Sequence, residues 1–279
     1  MLPYLTQAQA PLTCEVSAVN EFGDHISVSI PAERALTVYV DKRELVTLMT
    51  LGAHPELLVL GYLRNQRLVR EVAEIESITV DWDVGAAAVK TRSGIADIQE
   101  KTAKRVVTTG CGQGSVFGGL MDEVDQISLP PQASMTQSQL YSLVNTIRLK
   151  ETTYKSAGSV HACALFDTTA SEPEMLLFVE DVGRHNAIDT IAGWMSMQNH
   201  LFVGEVSRVF YTTGRLTSEM VIKSAQMNVP IVVSRSGITQ MGHQVAQAVG
   251  LCAIGRATNK RFLCYANAQR LKLELGLTR

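Results

Sequence analysis

Apolar and polar positions alternate with the period of a strand along residues 36–40 (LTVYV), Asp41-Lys42 reads as a turn, and 45–49 returns as the hairpin partner. The spacing then becomes helical over 54–68, where Leu57, Leu58, Leu60, Gly61, Tyr62 and Leu68 share one broad face. That segment closes among Arg64, Arg67 and Arg70, the charge a helix C-terminus favours. Alternation resumes at 77–82 and 86–91, and 105–109 reads as a further strand. A helix is predicted over 134–150, capped by Ser134 or Thr136. From there strands at 161–166, 175–180, 208–212, 229–234, 251–254 and 262–266 are interleaved with helices at 186–195, 218–227 and 239–249. Such interleaving predicts an α/β layer with a largely parallel sheet and helices on its faces. The first part reads as β-rich, and Pro130-Pro131 suggests a boundary between 1–130 and 131–279.

With 279 residues and 46% hydrophobic content, the chain can bury one large core or two modest ones. Cysteines at 14, 111, 163, 252 and 264 are odd in number and share no close repeated spacing, which indicates neither a disulfide framework nor a zinc ribbon. They read as reduced thiols of a cytoplasmic protein. No leader-like segment opens the chain, and no run approaches the roughly 18 apolar residues of a membrane helix. A net charge of −2 argues against a dedicated nucleic-acid binder. That total conceals an asymmetry, because residues 1–204 carry −9 and residues 205–279 carry +7. The basic quarter is either a surface for something phosphorylated or a face paired with the acidic remainder.

Four segments carry candidate chemistry. Cys111 lies in GCGQGSVFGG (110–119), which has five glycines in ten residues. The surrounding backbone N–H groups can stabilise a thiolate or persulfide anion, although a glycine-rich turn can also hold cysteine merely as a small residue. FVEDVGRHNAIDTIAG (178–193) runs from strand to helix and sets Asp181, Arg184, His185 and Asn186 at a strand's carboxyl end, where α/β proteins place ligands. Asp189, one turn from His185, can orient the imidazole; the alternative is an N-capping Asp181 and an ordinary intrahelical pair. TTGRLTSEM (212–220) and SRSGIT (234–239) are two strand-to-helix turns that place Arg215 and then Ser234, Arg235, Ser236 and Gly237 at one sheet edge, a recipe for phosphate. GRATNKR (255–261) adds three cations in seven residues. Cys163, Cys252 and Cys264 sit in apolar strand patterns and read as buried structural thiols.

These motifs together resemble the FdhD/NarQ family of formate dehydrogenase accessory sulfurtransferases: TTGCGQGSVFGG around Cys111, EDVGRHNAID (180–189), TTGRLTSEMVIKSA (212–225), VPIVVSRSG (229–237) and GRATNKRFLCYA (255–266). The resemblance runs from about Glu33 to about Arg270. It implies a cytoplasmic homodimer with a cytidine-deaminase-like three-layer α/β/α core beside a smaller β-rich N-terminal part. It also implies a sulfur carrier between a cysteine desulfurase and formate dehydrogenase, loaded as a persulfide on Cys111. The cargo would be bis-molybdopterin guanine dinucleotide carrying Mo or W, bound through its guanine nucleotide moiety by Arg256, Ala257, Thr258, Asn259, Lys260 and Arg261. No intrinsic metal, nucleic acid or membrane is implied. Gly114 stands where the family usually has a second loop cysteine, so that loop offers Cys111 no neighbouring thiol.

Three other functions compete. A zinc deaminase needs H-x-E and P-C-x-x-C, and the chain has only His161-Ala162-Cys163. A chaperone that delivers finished cofactor would leave Cys111 incidental. A thiol hydrolase with a Cys111–His185 dyad lacks any segment that reads as an acyl pocket.

Overall fold

The strand at 36–40 and its partner are β4 (Arg34–Val40) and β5 (Arg43–Thr50), joined by Asp41 and Lys42 at φ 46° and 72°. Two consecutive positive φ angles make the primed turn whose twist suits a hairpin. Two further strands, β6 (Ile75–Asp81) and β7 (Ala86–Thr91), and a short β1 (Tyr4–Leu5) complete a five-stranded sheet ordered β1-β6-β7-β4-β5. In the structure, a computed structural model, residues 1–95, 124, 127–150, 153–198, 207–274 and 276 are described. The predicted strand 105–109 and the glycine-rich loop with Cys111 and Gly114 lie outside them.

A separate hairpin of β2 (Thr13–Val19) and β3 (His25–Pro31) precedes this sheet. Sequence reading overlooked it because few of its side chains are buried, so there is little alternation in burial for a pattern to follow. Helix α1 (Pro55–Asn65) ends three residues before its expected limit. Arg67 adopts φ 54°, which a helix cannot continue through.

The second sheet follows β8 (Met135–Thr136), α2 (Gln137–Lys150) and a short α3 (Thr153–Ala157). Thr136 caps α2 reciprocally: its Oγ1 accepts from the Gln139 N–H at 3.2 Å, and its own N–H donates to Gln139 Oε1 at 2.9 Å. The sheet contains β9 (His161–Asp167), β10 (Glu174–Asp181), β11 (Arg208–Thr212), β12 (Ile231–Ser234), β13 (Cys252–Thr258) and β14 (Arg261–Ala266), in the order β10-β9-β11-β12-β13-β14. It is mixed rather than largely parallel. Only β11–β12 and β12–β13 pair in parallel, because β9–β10 and β13–β14 are hairpins with no helix to reverse the chain.

Alternate residues of each strand serve two cores. Cys163, Leu165, Phe210 and Val232 face α4 (Arg184–Met197), α5 (Ser218–Gln226) and α6 (Gln240–Ala248). Ala164, Phe166, Val209 and Val233 face α2 on the other side. This is a three-layer α/β/α arrangement, and α1 and the first sheet share a third core of their own.

The first and second sheets meet where α1 crosses α4. A Cβ on Gly61 would fall onto the Asp189 carbonyl oxygen, and one on Gly193 onto that of Leu57, so the two helix backbones touch with nothing between them. We expect Gly61→Ala to destabilise the protein by about 3 kcal/mol, the upper end for overpacking, since the obstacle is backbone and cannot rotate away. The check is the denaturation midpoint against Gly237→Ala, where a Cβ meets nothing within 4 Å and stability should hold.

Candidate functional site

The carboxyl ends of β10, β11, β12 and β13 lie along one sheet edge, with the start of β9 among them, because Asp181 opposes His161 and Thr212 opposes both Cys163 and Ser234. Strand β10 is thus an antiparallel edge strand rather than the parallel one expected, yet its carboxyl end still reaches this ligand-binding side.

The strand-end hydroxyls build the turns. Ser234 Oγ donates to the Gly214 carbonyl at 2.6 Å and accepts the Ser236 N–H at 2.9 Å. Thr212 Oγ1 accepts the Gly214 N–H at 3.1 Å and the Cys163 thiol at 3.3 Å. The two turns are laced together by Leu216 N–H to the Gly237 carbonyl and Thr239 N–H to the Leu216 carbonyl. Arg256 joins them, its N–H donating to the Ser236 carbonyl at 2.7 Å.

On this scaffold stands a cluster of cations. Half-buried His161 is held below the usual imidazole range first by burial and then by the charges of Arg184, Arg215 and Arg235. Its Nδ1 is 3.4 Å from Thr213 Oγ1. Arg235 lies over the Tyr154 ring at 5.3 Å, and Tyr154 is fixed in turn by Glu180, which accepts the N–H groups of Thr153 and Tyr154 at 2.8 and 3.1 Å. Arg184 runs against Gly214, where an added Cβ would come within 2.7 Å of its Cδ. The charges of Arg184, Arg215 and Arg235 all act on this one imidazole and make the edge electropositive, a setting that suits an anion. Sequence reading met His161 only as a fragment of a deaminase motif and did not place it at this edge, because it opens a strand whose neighbours here are brought in by pairing.

The remaining EDVGRHNAID residues point inward. Asp181 accepts from Thr50 Oγ1 at 2.5 Å, from the Leu51 and Gly183 N–H groups, and from Asn186 Nδ2 at 2.8 Å; Asn186 also donates to the Met49 carbonyl at 2.6 Å. These bonds tie the end of β5 to the start of α4. Burial nevertheless holds the Asp181 carboxyl above its ordinary range. Gly183, rather than an acidic side chain, occupies the N-cap of α4.

Asp189 does not orient His185. It accepts from Asn65 Nδ2 at 2.6 Å and pairs with Lys223 Nζ at 2.9 Å, both charges being 0% exposed. His185 Nδ1 instead faces Glu219 Oε1 at 3.5 Å, which also lies 3.6 Å from Lys223. The i,i+4 spacing held, but Lys223 on α5 offered the carboxylate a full opposite charge and the imidazole could not compete.

The residues of 256–261 divide. Ala257 is buried in the core against α2, whereas Arg256, Thr258, Lys260 and Arg261 line a cleft of about 890 Å³ with Tyr141 and Phe262. Asn259, with φ 50°, turns the β13–β14 hairpin at its tip. The cations of the basic quarter are placed in two ways. Lys223 and Arg270 are structural, Arg270 donating to the carbonyls of Pro130, Ala133 and Gly250, while Arg215, Arg235 and Arg256 stand at the edge. Cys163 is fully buried, and burial pushes its thiol up to about 12. Among the described residues no group of three His, Cys, Asp or Glu side chains gathers as a metal site, and no helix is long and apolar enough to cross a membrane.

A profile of the FdhD/NarQ family matches residues 31–272. The chain belongs to the FdhD/NarQ family. Among curated FdhD relatives, the sulfur carrier protein FdhD of Bacillus subtilis (strain 168) is 31% identical over 264 residues, spanning 92% of this chain and 94% of that protein. That of Geobacillus kaustophilus (strain HTA426) is 26% identical over 248 residues, spanning 89% and 90%. A crystal structure described as a formate dehydrogenase accessory protein from Desulfotalea psychrophila is similar with a TM-score of 0.72 at 20% identity, over 94% of this chain and 100% of that one, which shows the shared fold. The FdhD/NarQ match includes both turns of the cationic edge and the buried residues of α4 and α5 that support it.

The buried support makes a pH prediction. Burial first, then Lys223, Arg184 and His161, lower His185 to about 2, far below the 6.5 of an unfolded chain. The unfolded state therefore binds the extra proton, so this contribution to stability is complete above pH 6.5 and is lost as pH falls below it. Wild type should lose stability relative to His185→Gln by up to about 1.4 kcal/mol per pH unit between pH 6 and 4, measured by denaturant titration. The raised Asp181 and Asp189 act in the opposite sense but are common to both proteins and cancel in the difference. Parallel pH profiles would show that His185 does not titrate on unfolding.

Proposed function

We propose that this chain is a sulfur carrier serving formate dehydrogenase, and that the cationic edge holds the phosphates of a guanine dinucleotide cargo. Family membership and the relatives' names support the carrier role. The observation that carries the binding role is the placement of Arg215, Arg235 and Arg256 at neighbouring strand ends, where the two strand-to-helix turns are laced together and Arg256 is bonded to Ser236. Bis-molybdopterin guanine dinucleotide presents two pyrophosphates, and planar guanidiniums match phosphate oxygens two at a time. The donor set therefore fits the cargo: Arg215 and Arg256 are exposed and Arg235 half-buried at a sheet edge, with bare backbone at Gly237 where a ligand can approach closely. Ser234 serves by holding the turn, its hydroxyl being engaged with Gly214 and Ser236.

In this reading the Cys111 thiolate attacks the outer sulfur of a cysteine desulfurase persulfide. A Cys111 persulfide forms and the desulfurase thiolate leaves; delivery of the terminal sulfur to the cargo before it enters the dehydrogenase would return the Cys111 thiolate, with the cargo's reduced metal supplying the two electrons that take the sulfur to sulfide. The role of Cys111 rests on the family resemblance and the chemistry of its glycine-framed position.

Two experiments test the reading. Intact mass after incubation with a cysteine desulfurase and cysteine should show added sulfur on wild type and none on Cys111→Ser, with unchanged circular dichroism. Sulfur retained elsewhere at the wild-type level would overturn the carrier assignment, and an unloaded wild type that still binds nucleotide would leave a cofactor chaperone. For the edge, calorimetry should show GDP bound in preference to guanosine and weakened by salt. Arg215→Ala and Arg235→Ala should each cost about 1–3 kcal/mol, the range for a charge-assisted hydrogen bond. If Arg261→Ala loses GDP binding and those two do not, the phosphates belong in the hairpin cleft.

A further inference from the structure

Two thiols that this chemistry leaves unused face each other across β13 and β14, with Cys252 Sγ and Cys264 Sγ 3.8 Å apart. Both are unbridged. Cys264 opposes Ile254, and a register shift between Ala253 and Ile254 brings it toward the Cys252 side of the ladder. Cys252 is fully buried, whereas Cys264 is half-buried at the margin of the same core. A disulfide holds its sulfurs about 2.0 Å apart, so bridging these two requires less than about 2 Å of approach. Neither thiol is a surface residue that meets partners by chance, and a single cysteine at either position would suffice for packing.

The two differ in reactivity. The contact between the two sulfurs, in which either thiol can donate, holds the Cys264 thiol below its usual range, and the same contact together with burial raises Cys252 and keeps it protonated. The more accessible sulfur is therefore the better nucleophile, with a thiol already placed behind it.

We propose that Cys264 and Cys252 form a second sulfur-handling site, in which Cys264 takes the outer sulfur of a small-molecule persulfide and Cys252 then displaces it as sulfide. In the first step the Cys264 thiolate bonds to the outer sulfur of R–S–S–H, the S–S bond breaks, and R–S⁻ leaves, giving a Cys264 persulfide. In the second the Cys252 sulfur bonds to Cys264 Sγ, the outer sulfur departs with its electron pair, and the Cys252 proton leaves with it. The two protein thiols are oxidised to one disulfide, and the persulfide is reduced to a thiol and hydrogen sulfide. The choice of a persulfide as donor rests on the sulfur-carrier reading, while the thiol pair rests on geometry alone. The bridge closes the base of the hairpin that carries Arg256, Lys260 and Arg261, so the oxidation state of the pair bears directly on that cationic cleft.

The test uses the full chain, reduced and then freed of reductant, as wild type and as Cys111→Ser. Each is treated with glutathione persulfide, or with diamide, which oxidises adjacent dithiols without supplying sulfur. Both proteins should yield one peptide pair linking Cys252 to Cys264, and with the persulfide one sulfide per bridge. Cys252→Ala should stop at a Cys264 persulfide, and Cys264→Ser should release no sulfide through this pair. A bridge that forms with diamide but not with the persulfide would overturn the sulfur-handling assignment and leave only proximity. Absence of the linkage with either reagent would overturn the pairing itself. Because Cys111→Ser retains the pair, loss of desulfurase loading at Cys111 and loss of bridging at 252 and 264 are separately visible.

Discussion

The crossing of α1 and α4 governs the rest of the structure. Two glycines, Gly61 and Gly193, let the helix backbones meet directly, and that approach brings Asn65 within hydrogen-bond reach of Asp189. Asp189 then pairs with Lys223 in the dry interior between α4 and α5. Burying two charges is costly, and the cost is offset only if the geometry is good and the leftover oxygens are bonded. Asn65 supplies the bond to the oxygen that Lys223 does not take. A larger residue at either glycine would part the helices and leave the carboxylate short of a donor, so the glycines and the ion pair depend on each other.

The same clamp orders the carboxyl edge. Asp181 and Asn186 fasten the end of β5 to the start of α4, which sets the position from which Arg184 reaches Gly214. Glu180 fixes Tyr154, and Tyr154 carries Arg235. The cations are thus aimed by neutral and acidic residues one step deeper. Guanidiniums held by packing and hydrogen bonds have less freedom to lose, which is the physical advantage of carrying them on strand ends rather than on a free loop.

The β13–β14 hairpin is the point where the edge and the flank of the sheet communicate. Arg256 bonds to Ser236 on one side and lines the cleft with Lys260 and Arg261 on the other. Its own φ of 51° and that of Asn259 bend the strand so that Ala257 turns into the core while its neighbours face outward. Cys252 and Cys264 meet at the base of this hairpin, and its cations stand toward the tip.

Local pattern was enough for many of the elements and for the motif-bearing turns, though not for the β2–β3 hairpin, whose side chains are hardly buried. The alternation at 36–40 and 45–49 became β4 and β5, and the Thr136 cap was legible because capping depends on residues three apart in sequence. Strand-to-helix turns at 212–220 and 234–239 were legible for the same reason, and their spacing alone was enough to place Arg215 and Arg235 at one edge. Tertiary structure decided what local pattern cannot encode. Strand direction in β9, β10 and β14 depends on which hairpins close, and apolar runs look alike in parallel and antiparallel sheets. The partner of Asp189 was decided by Lys223, 34 residues away, because electrostatic competition is settled by distance in space. His161 entered the site, and Cys264 met Cys252, only through strand pairing, and neither had a sequence neighbour to announce it. The sequence by itself determined the local hydrogen-bond and burial preferences of each segment; the tertiary structure decided which charges and thiols meet, since those contacts depend on segments far apart in the chain.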